Sequence, residues 1–535
     1  MSLWFGLAGA QRSFMVEMFA TSPKILLDYL SAKLFNDAVA FGYTDALASS
    51  MDTAVRAMNG ASSIATMLDN AYADINKVAT VFSNTYLDAP QAASILNQTA
   101  LKVSRAASIV NNSNLSVSKA ASIFNDPGLG VSRAATIFNN ANVSASRAAA
   151  ILNDANITVS RVVSILSDSN IVASKVASIL NDDNITASRI YSLITDASIT
   201  ANNAQTMLYK WIDGTTDYSK LLQVLTYGAS NYSVTTNTTL TTGVNRYATL
   251  SISSGVTLTL GASPGVIIAD TINNSGTIAS GWNCGAGGSA GVSGAGAGGA
   301  GRGAVIILAR SITVGTVTAN GAAGGNASTV TASGNGGAGG AGNFWLISGD
   351  SVPSGGNGGG FSPGSGRPNG GGGGGGDVYS GGTGGTATTT TYSTSSNLLA
   401  ELLKATVDWW LVNIIGKTPT TTKSFPSLGG SGGGGGGAYD GSAASGGGGG
   451  GGGQIMIYGT SVTAGTVQAK GGAGGNGGNE GSRDAGGGGG GGGIIYVFYN
   501  SLTGTFTYDV SGGAGGTGDY AGYAGGTGVF RAIAV

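Results

Sequence analysis

The residues that this chain lacks limit the chemistry it can perform. Its 535 residues include no histidine and one cysteine, Cys284. Without histidine, Ser-His-Asp and Cys-His catalysis and metal binding through imidazole are excluded. A single cysteine forms no disulfide within the chain, so it does not indicate the redox compartment. We therefore predict no cofactor and no metal site.

Acidic residues in the second half of the chain could hydrolyse a glycan, because paired carboxylates supply the acid and base of that reaction. The candidate pair is Asp440 with Glu480 or Asp484. These residues lie in glycine-rich loops, whereas a catalytic pair needs rigid support. A glycan depolymerase is thus the least favoured function, and we predict that the chain is not an enzyme.

Aromatic side chains in the same loops are candidates for recognition. Tyrosine gives a large contact area at low entropic cost and stacks on sugars. The predicted receptor-contact residues are Tyr379, Tyr392, Phe425, Tyr439, Tyr520 and Tyr523.

A second group of aromatic residues lies in the apolar N-terminal segment 1–61, namely Trp4, Phe5, Phe14 and Phe19. As an isolated segment it would be poorly soluble, so we predict that it docks on a partner or on copies of itself. The alternative is an internal cap for the helices that follow. Arg12 and Glu17 interrupt the segment before it reaches membrane-spanning length, and it lacks the basic start of a cleaved signal.

Charged residues are scarce, at 10 % of the chain, and the formal net charge is −1. Nucleic-acid binding needs a basic stripe and is therefore excluded as a function. The glycines divide the chain, since ninety of the 98 follow residue 240. A chain of this length holds more than one core, so we predict a helical domain followed by a glycine-rich β domain.

A phrase of the type "SRAASIV" returns every fourteen residues from Ser104, and weaker copies extend it over 62–215. Two heptads would also give this period, but Asp126-Pro127-Gly128 and the Asn/Asp-rich turns interrupt any continuous coiled coil. Each unit is predicted to be a helix of about nine residues capped by Ser or Thr. Such units must stack to bury their apolar faces, which predicts a solenoid that acts as a stalk.

The second place of each unit is basic, as in Arg105, Lys119, Arg133, Arg147, Arg161, Lys175 and Arg189. One interpretation is a ladder that binds a ligand. The favoured interpretation is an exposed, solvated row that pairs with Asp154, Asp168 and Asp182.

The glycine-rich half repeats an apolar module, seen when "GAVIILARSITVGTVTANGAAGGN" (303–326) is compared with "GQIMIYGTSVTAGTVQAKGGAGGN" (453–476). Short strands at near-regular spacing predict a parallel β-solenoid, with a β-sandwich as the alternative. The polyglycine runs between modules are predicted to be insertions. They either hydrogen-bond to one another in an extended polyproline-II-like form or act as flexible linkers. One apolar insertion, 395–416, is predicted to be helical and to pack along the solenoid or to meet a membrane or sister subunit.

The strings "GTVTANGAAGGN", "SSGVTLTL" and "INNSGTIAS" resemble glycine-rich β-helical regions of microbial surface adhesins. Polyglycine runs between loops are similar to the distal adhesins of phage tail fibres, in which glycine helices form a sandwich that carries receptor-binding loops. A helical stalk, an apolar N-terminal anchor and a glycine-rich distal half together resemble a host-attachment spike, such as that of an archaeal spindle-shaped virus. The resemblance assigns no individual binding residue.

These observations predict an α+β protein of several domains: an anchor (1–61), helical repeats (62–215), a linker (216–240) and a β domain (241–535). The expected function is that of a virion structural protein, a spike that attaches to a host. Its expected partners are other virion proteins through the N-terminal segment, a host surface receptor such as a glycan, and further copies of the chain. The expected location is the virion surface or the extracellular space. A cellular surface-layer or filament subunit is the alternative.

Overall fold

The computed structural model divides the chain into two compact units, Met1–Asp217 and Tyr218–Val535, and each is described by itself. The residues that it describes are 23–56, 60–195, 203, 206–208, 210–211, 219–261, 265–281, 303–326, 390–391, 424–425, 446–478 and 485–534. The first unit is helical, and the second is built on a parallel β-sheet. The predicted α+β class is therefore confirmed.

Helices of eight or nine residues recur through the first unit after two longer ones. They are α1 (Pro23–Ala40), α2 (Thr44–Arg56), α3 (Gly60–Leu68), α4 (Ile75–Ser83), α5 (Ala89–Leu96), α6 (Val103–Asn111), α7 (Val117–Asn125), α8 (Val131–Asn139), α9 (Ala145–Asn153), α10 (Val159–Ser167), α11 (Ala173–Leu180) and α12 (Ala187–Thr195). The prediction of one short helix per fourteen residues is confirmed.

Side-chain caps start several of these helices, as predicted. The hydroxyls of Ser116, Ser144 and Thr158 each accept a hydrogen bond from the backbone N–H group three residues later in the chain. The predicted cap Thr200 lies outside the described residues. Because each cap satisfies an N–H group that the helix leaves unpaired, a helix of only nine residues can begin sharply.

Each repeated helix packs mainly against the second helix along the chain, as α8 does against α6 and α10. Two small residues and two large ones, for example Ala148, Ala149, Ile151 and Leu152, form its buried face. Hydrogen bonds between units join residues 32 to 38 positions apart. This separation lies between two and three units of fourteen residues.

The basic residue of each unit does not form the exposed row that we predicted. Arg147 is half-buried and donates from Nε to the carbonyl oxygen of Val110 at 2.9 Å and from Nη2 to those of Asn112 and Leu115. Arg161 repeats the arrangement one unit later. The last carbonyls of a helix lack partners within the helix and carry partial negative charge, so they attract a cation. Each basic residue thus caps the end of a helix three units earlier.

Burial has a second consequence for these side chains. Desolvation lowers the pKa of the Lys119 ammonium, although Asp88 and Asp52 act in the opposite direction. Lys119 donates to the carbonyl oxygen of Leu87, and Lys175 donates to that of Val143. At this place of the repeat, Lys119 and Lys175 each make one such bond where Arg147 and Arg161 make three.

The main partners of the aspartates are hydroxyl and backbone groups rather than the predicted cations, although Asp154 and Arg189 attract each other. The carboxylates of Asp154, Asp168 and Asp182 accept hydrogen bonds from the hydroxyls of Ser118, Ser132 and Ser146, at 2.6–2.9 Å. They also accept the backbone N–H two residues on, which closes the turn. Desolvation raises the pKa of the Asp154 carboxyl, but hydrogen bonds from Asn156 and Ser118 outweigh it, so the pKa lies below its usual value. These aspartates fasten turns together.

The second unit begins within the segment that we predicted to be a linker. Helix α13 (Ser219–Thr226) packs on the sheet. Arg246 donates from Nε to the carbonyl oxygen of Leu225, which ties the end of this helix to a strand. Residues 219–240 therefore belong to the β unit.

Eleven strands form the sheet: β1 (Tyr232–Val234), β2 (Thr238–Leu240), β3 (Val244–Ile252), β4 (Thr257–Leu260), β5 (Gly265–Ser280), β6 (Ala304–Thr318), β9 (Gln454–Thr463), β10 (Thr466–Gln468), β11 (Ile494–Thr503), β12 (Thr507–Asp509) and β13 (Val529–Ala534). A separate antiparallel pair joins β7 (Thr390–Thr391) to β8 (Ser424–Phe425). The described pairings of the eleven strands are parallel, whereas the hairpins of a β-sandwich would pair strands antiparallel.

The order along the sheet is β1-β3-β5-β6-β9-β11-β13. The shorter strands pair beside this path: β2 with β4, β4 with β5, and β10 with both β6 and β12. Strands β6 and β9 are far apart in sequence but pair directly, since Ile307 pairs with Ile457. The pairing then continues from β9 to β11, where Ile457 pairs with Val497. These inward residues belong to one apolar core that runs along the strands. Because the strands share this core and are paired in register, the chain segments that precede and follow them also lie side by side.

Candidate functional site

Glycine-rich segments lead directly into and out of the last strands of the sheet. We number six of them I (319–326), II (446–453), III (469–477), IV (485–493), V (510–517) and VI (520–528). Segment III follows β10 without a break, and segment IV runs directly into β11. The prediction that these runs are insertions between modules is therefore wrong, because they continue the strands.

The segments are ordered by hydrogen bonds between their backbones at every third residue. Segments II and IV are joined in parallel by the N–H groups of Gly446, Gly449 and Gly452, which donate to segment IV at 2.8–3.0 Å. Segment IV is joined to VI in the same way, and segments I, III and V form a second parallel layer. A period of three matches the three residues per turn of polyproline II.

The two layers are antiparallel and bonded to each other. Gly490 donates to Gly472 at 2.9 Å and Gly487 to Gly475 at 2.9 Å. A methyl group on Gly490 would lie 2.0 Å from the carbonyl oxygen of Gly450, so no other residue fits there. Of the two possibilities that the sequence left open, packed glycine helices are correct for segments I to VI. The run 370–376 lies outside the described residues.

The layer of segments I, III and V turns every third residue outward. These outward residues are Asn320, Ala323 and Asn326 in segment I, Lys470, Ala473 and Asn476 in segment III, and Ser511, Ala514 and Thr517 in segment V. The three asparagines bridge neighbouring segments. Oδ1 of Asn320 accepts from the N–H of Lys470 at 2.8 Å, Oδ1 of Asn326 from that of Asn476 and Oδ1 of Asn476 from that of Thr517, the last two at 2.9 Å. The signal was readable in sequence as an X-Gly-Gly period, but we did not identify it.

One end of the glycine array carries the three crossings between its layers that do not pass through the eleven-stranded sheet. The chain crosses from I to II through residues 327–445, from III to IV through 478–484, and from V to VI through 518–519. Because the antiparallel layers are bonded in register, the last described residues before each crossing lie at the same end. We call this end the crossing end. A rigid support that ends in turns of very different length is a suitable platform for recognition.

The structure places two of the six predicted contact residues at or near the crossing end. Tyr520 begins segment VI and forms a bridge with Ala485, and Tyr523 follows it with 57 % of its surface exposed. Phe425 lies in β8, opposite Thr390. Tyr379, Tyr392 and Tyr439 lie outside the described residues, although each belongs to the crossing 327–445.

The other predicted functional residues also lie outside the described residues. They are Trp4, Phe5, Phe14, Phe19, Asp440, Glu480 and Asp484. Among the residues that the structure describes, no three His, Cys, Asp or Glu side chains gather in a metal-binding arrangement. In the same residues, no helix has both the length and the apolar character needed to cross a bilayer.

Exposed aromatic residues in the helical unit were missed by the sequence analysis. They are Phe41, Tyr43, Tyr72 and Tyr86, each with more than half of its surface exposed. Hydrogen bonds bring their turns together, because Asn36 donates to the carbonyl oxygen of Tyr72 and Asn84 donates to Asp45. The signal was the repeat itself: in two units tyrosine occupies a turn position that later units fill with alanine, asparagine or glycine.

Comparison of the chain with protein-family models, with curated proteins and with solved structures yields no match.

Proposed function

We propose that this chain is a host-attachment spike of a virion, which binds a cell-surface receptor through the crossing end of its glycine array. The observation that carries the proposal is the rigid array whose layer crossings, of very different length, meet at one end. Backbone hydrogen bonds, with asparagine bridges in one layer, hold the array without using any residue of the crossings, so the sequences of the crossings are free to vary. Tyr520, Tyr523 and the aromatic residues of 327–445 are the proposed contacts.

The finer architecture belongs to the same proposal. In a β-solenoid, each coil would enter through one glycine segment, follow two strands and leave through the next segment. The registers from β5 to β11, which shift once between Asn274 and Thr277 of β5, support this interpretation. The helical repeats would form a second solenoid that holds the β unit away from the particle, and residues 1–61 would join the particle. The exposed aromatic residues near the start of the helical unit support a protein contact there.

A cellular surface-layer or filament subunit is the second candidate. The exposed aromatic residues of the helical unit favour it, since self-assembly would cover them. This candidate predicts that the purified chain polymerises, whereas the spike predicts discrete oligomers. Electron microscopy and sedimentation of the full chain separate the two.

The decisive experiment measures binding of the full chain, labelled with a fluorophore, to whole host cells. We expect saturable binding that unlabelled protein competes away and that Tyr520→Ser with Tyr523→Ser weakens. The control is Tyr508→Ser, because Tyr508 is 53 % exposed and lies in β12, away from the crossing end. Absence of saturable binding, together with fibres in the purified protein, would contradict the spike.

A further inference from the structure

Four polar side chains form a row across neighbouring strands on the outside of the β unit. They are Asp270 of β5, Arg310 of β6, Thr460 of β9 and Asn500 of β11, and we call them the polar row. Each strand changes direction here, because the residue before Asp270 and the second residue after it both face the core. The row therefore follows an outer corner of the core, and neither the crossing end nor the predicted contacts include it.

An ion pair fills the first half of the polar row. Nε of Arg310 lies 2.7 Å from Oδ1 of Asp270, and Nη2 lies 2.8 Å from Oδ2. This fork cancels the two charges but uses only two of the five guanidinium N–H groups, so further donors remain. Both side chains are partly exposed, at 43 % and 27 %. A ligand can thus meet donors and acceptors here without meeting net charge.

The second half of the polar row presents an amide to solvent and covers a hydroxyl. The Tyr458 hydroxyl donates to Oδ1 of Asn500 at 3.3 Å, which leaves the exposed amide nitrogen of Asn500 as a donor toward solvent. Oγ1 of Thr460, between Arg310 and Asn500, is buried without a hydrogen-bond partner. A buried hydroxyl that is unpaired within the protein is unusual and calls for a functional explanation.

A row of hydroxyls lies beside the polar row, formed by Thr271, Ser311, Ser461 and Ser501. Their backbones are paired in register across the same four strands, and the three serines are exposed. Neighbouring strands are about 4.8 Å apart, so each row spans about 14 Å. The two rows together offer a strip of donors and acceptors that contains no net charge.

We propose that this strip is a binding subsite for a neutral oligosaccharide that lies across the four strands. Sugar hydroxyls both donate and accept, so they match the carboxylate, guanidinium and amide of the polar row together with the exposed serine hydroxyls beside it. The cancelled Asp270–Arg310 charges favour a neutral sugar over a sulfated or carboxylated one. The inference rests on the proposed attachment function and specifies its ligand class.

Calorimetric titration of the full chain with neutral hexose oligosaccharides, and with sulfated ones for comparison, tests the subsite. Asp270→Asn with Arg310→Gln removes both charges together, so no charge is left unpaired. We expect this double variant, and Asn500→Ala, to bind the neutral probe at least about tenfold more weakly, as loss of hydrogen bonds to a ligand predicts. The matched control, Asn273→Ala, changes an exposed residue of the same strand outside both rows and should bind like the wild type.

The melting temperature of each variant establishes that it folds. If the double variant melts at a lower temperature but binds the neutral oligosaccharide like the wild type, the Asp270–Arg310 pair of the polar row only stabilises the sheet, and the proposal is overturned. Preference for the sulfated probe overturns it as well. Binding of neutral sugar without binding to host cells supports the subsite and contradicts the attachment function. Cell binding that survives in the double variant, with no neutral-sugar binding by the wild type, overturns the subsite alone.

Discussion

The basic side chain of each helical unit binds the end of an earlier helix, so its removal should destabilise the unit. Arg161→Met removes a guanidinium that donates to three carbonyl groups. Hydrogen bonds from charged groups contribute about 1.5–3 kcal/mol, and this side chain is half-buried, so we expect a loss of about 2 kcal/mol in the free energy of unfolding. Urea denaturation followed by circular dichroism at 222 nm measures it.

Lys102→Met is the matched control for that substitution. The ammonium of Lys102 pairs with Asp69 but is 75 % exposed, so its loss should cost at most about 1 kcal/mol. Arg161→Lys should fall between the two variants, because Lys119 and Lys175, at the same place of their units, each make a single carbonyl bond. Equal stability of the Arg161→Met and Lys102→Met variants would show that the helix-end contacts contribute nothing.

The lowered pKa of Asp154 predicts a loss of stability in acid. A carboxyl whose pKa is lower in the folded state than in the unfolded state stabilises the fold above the unfolded value, about 4, and this contribution disappears as the pH falls through the folded pKa. Asp154→Asn should therefore reduce the difference in melting temperature between pH 7 and pH 3. Asparagine already occupies this turn position at Asn112 and Asn140, so the variant should fold. An unchanged difference between the two pH values would contradict the assignment.

Single residues also show the limit of reasoning from sequence. The caps Ser144 and Thr158 were predictable because a cap acts within its own turn. The partners of Arg147 were not, since they lie 32 to 37 residues away and are backbone carbonyls, which every residue has. A charge pattern suggests ion pairs, but burial against a helix end makes the carbonyls better partners.

At the scale of elements, the glycine segments depend on close approach rather than on side chains. Gly490→Ala would place a methyl group 2.0 Å from the backbone of segment II. Backbone in a bonded array cannot move aside, so we expect a loss of about 3 kcal/mol or more. Hydrogen–deuterium exchange of peptides from 446–453 and 485–493 should be slow in the wild type and faster in the variant.

Ala473→Ser is the control, because Ala473 turns outward from segment III and is exposed. A surface change of this kind should alter stability by no more than about 0.5 kcal/mol. If both variants exchange like the wild type, the segments do not form the bonded layers described above.

The sequence predicts some elements better than others. Strands β6, β9 and β11 were predictable as repeated apolar modules, because alternation and module spacing are local signals. The glycine layers were only one of two possibilities, because glycine has no side chain whose pattern could reveal a partner. The packing of each repeated helix against the second one along the chain could not be read from a period of fourteen residues, which fixes the unit but not the winding.

At the scale of the whole molecule, the β unit tolerates a long crossing without losing register. Ala304 pairs with Gln454 across the crossing 327–445, and the next strand pairs in step with Gln454 through Ile494. Segments I and II are bonded across the same interval. The fold is therefore set by the strands and glycine segments, while the crossing carries four of the six predicted contact residues.

Replacement of 327–445 by a copy of the short crossing 478–484 separates these two roles. Because segments III and IV are joined by that sequence in the same antiparallel arrangement, it should connect I to II without strain. We expect the shortened protein to keep slow hydrogen exchange in segments II and IV and to lose at least about tenfold in affinity for host cells, as removal of an interface's central residues predicts. The control replaces 518–519 by two other small polar residues, which leaves 327–445 in place. A shortened protein that keeps its array and binds cells like the wild type would move the receptor site away from this crossing, and an array that fails to form would show that the crossing helps to set the fold.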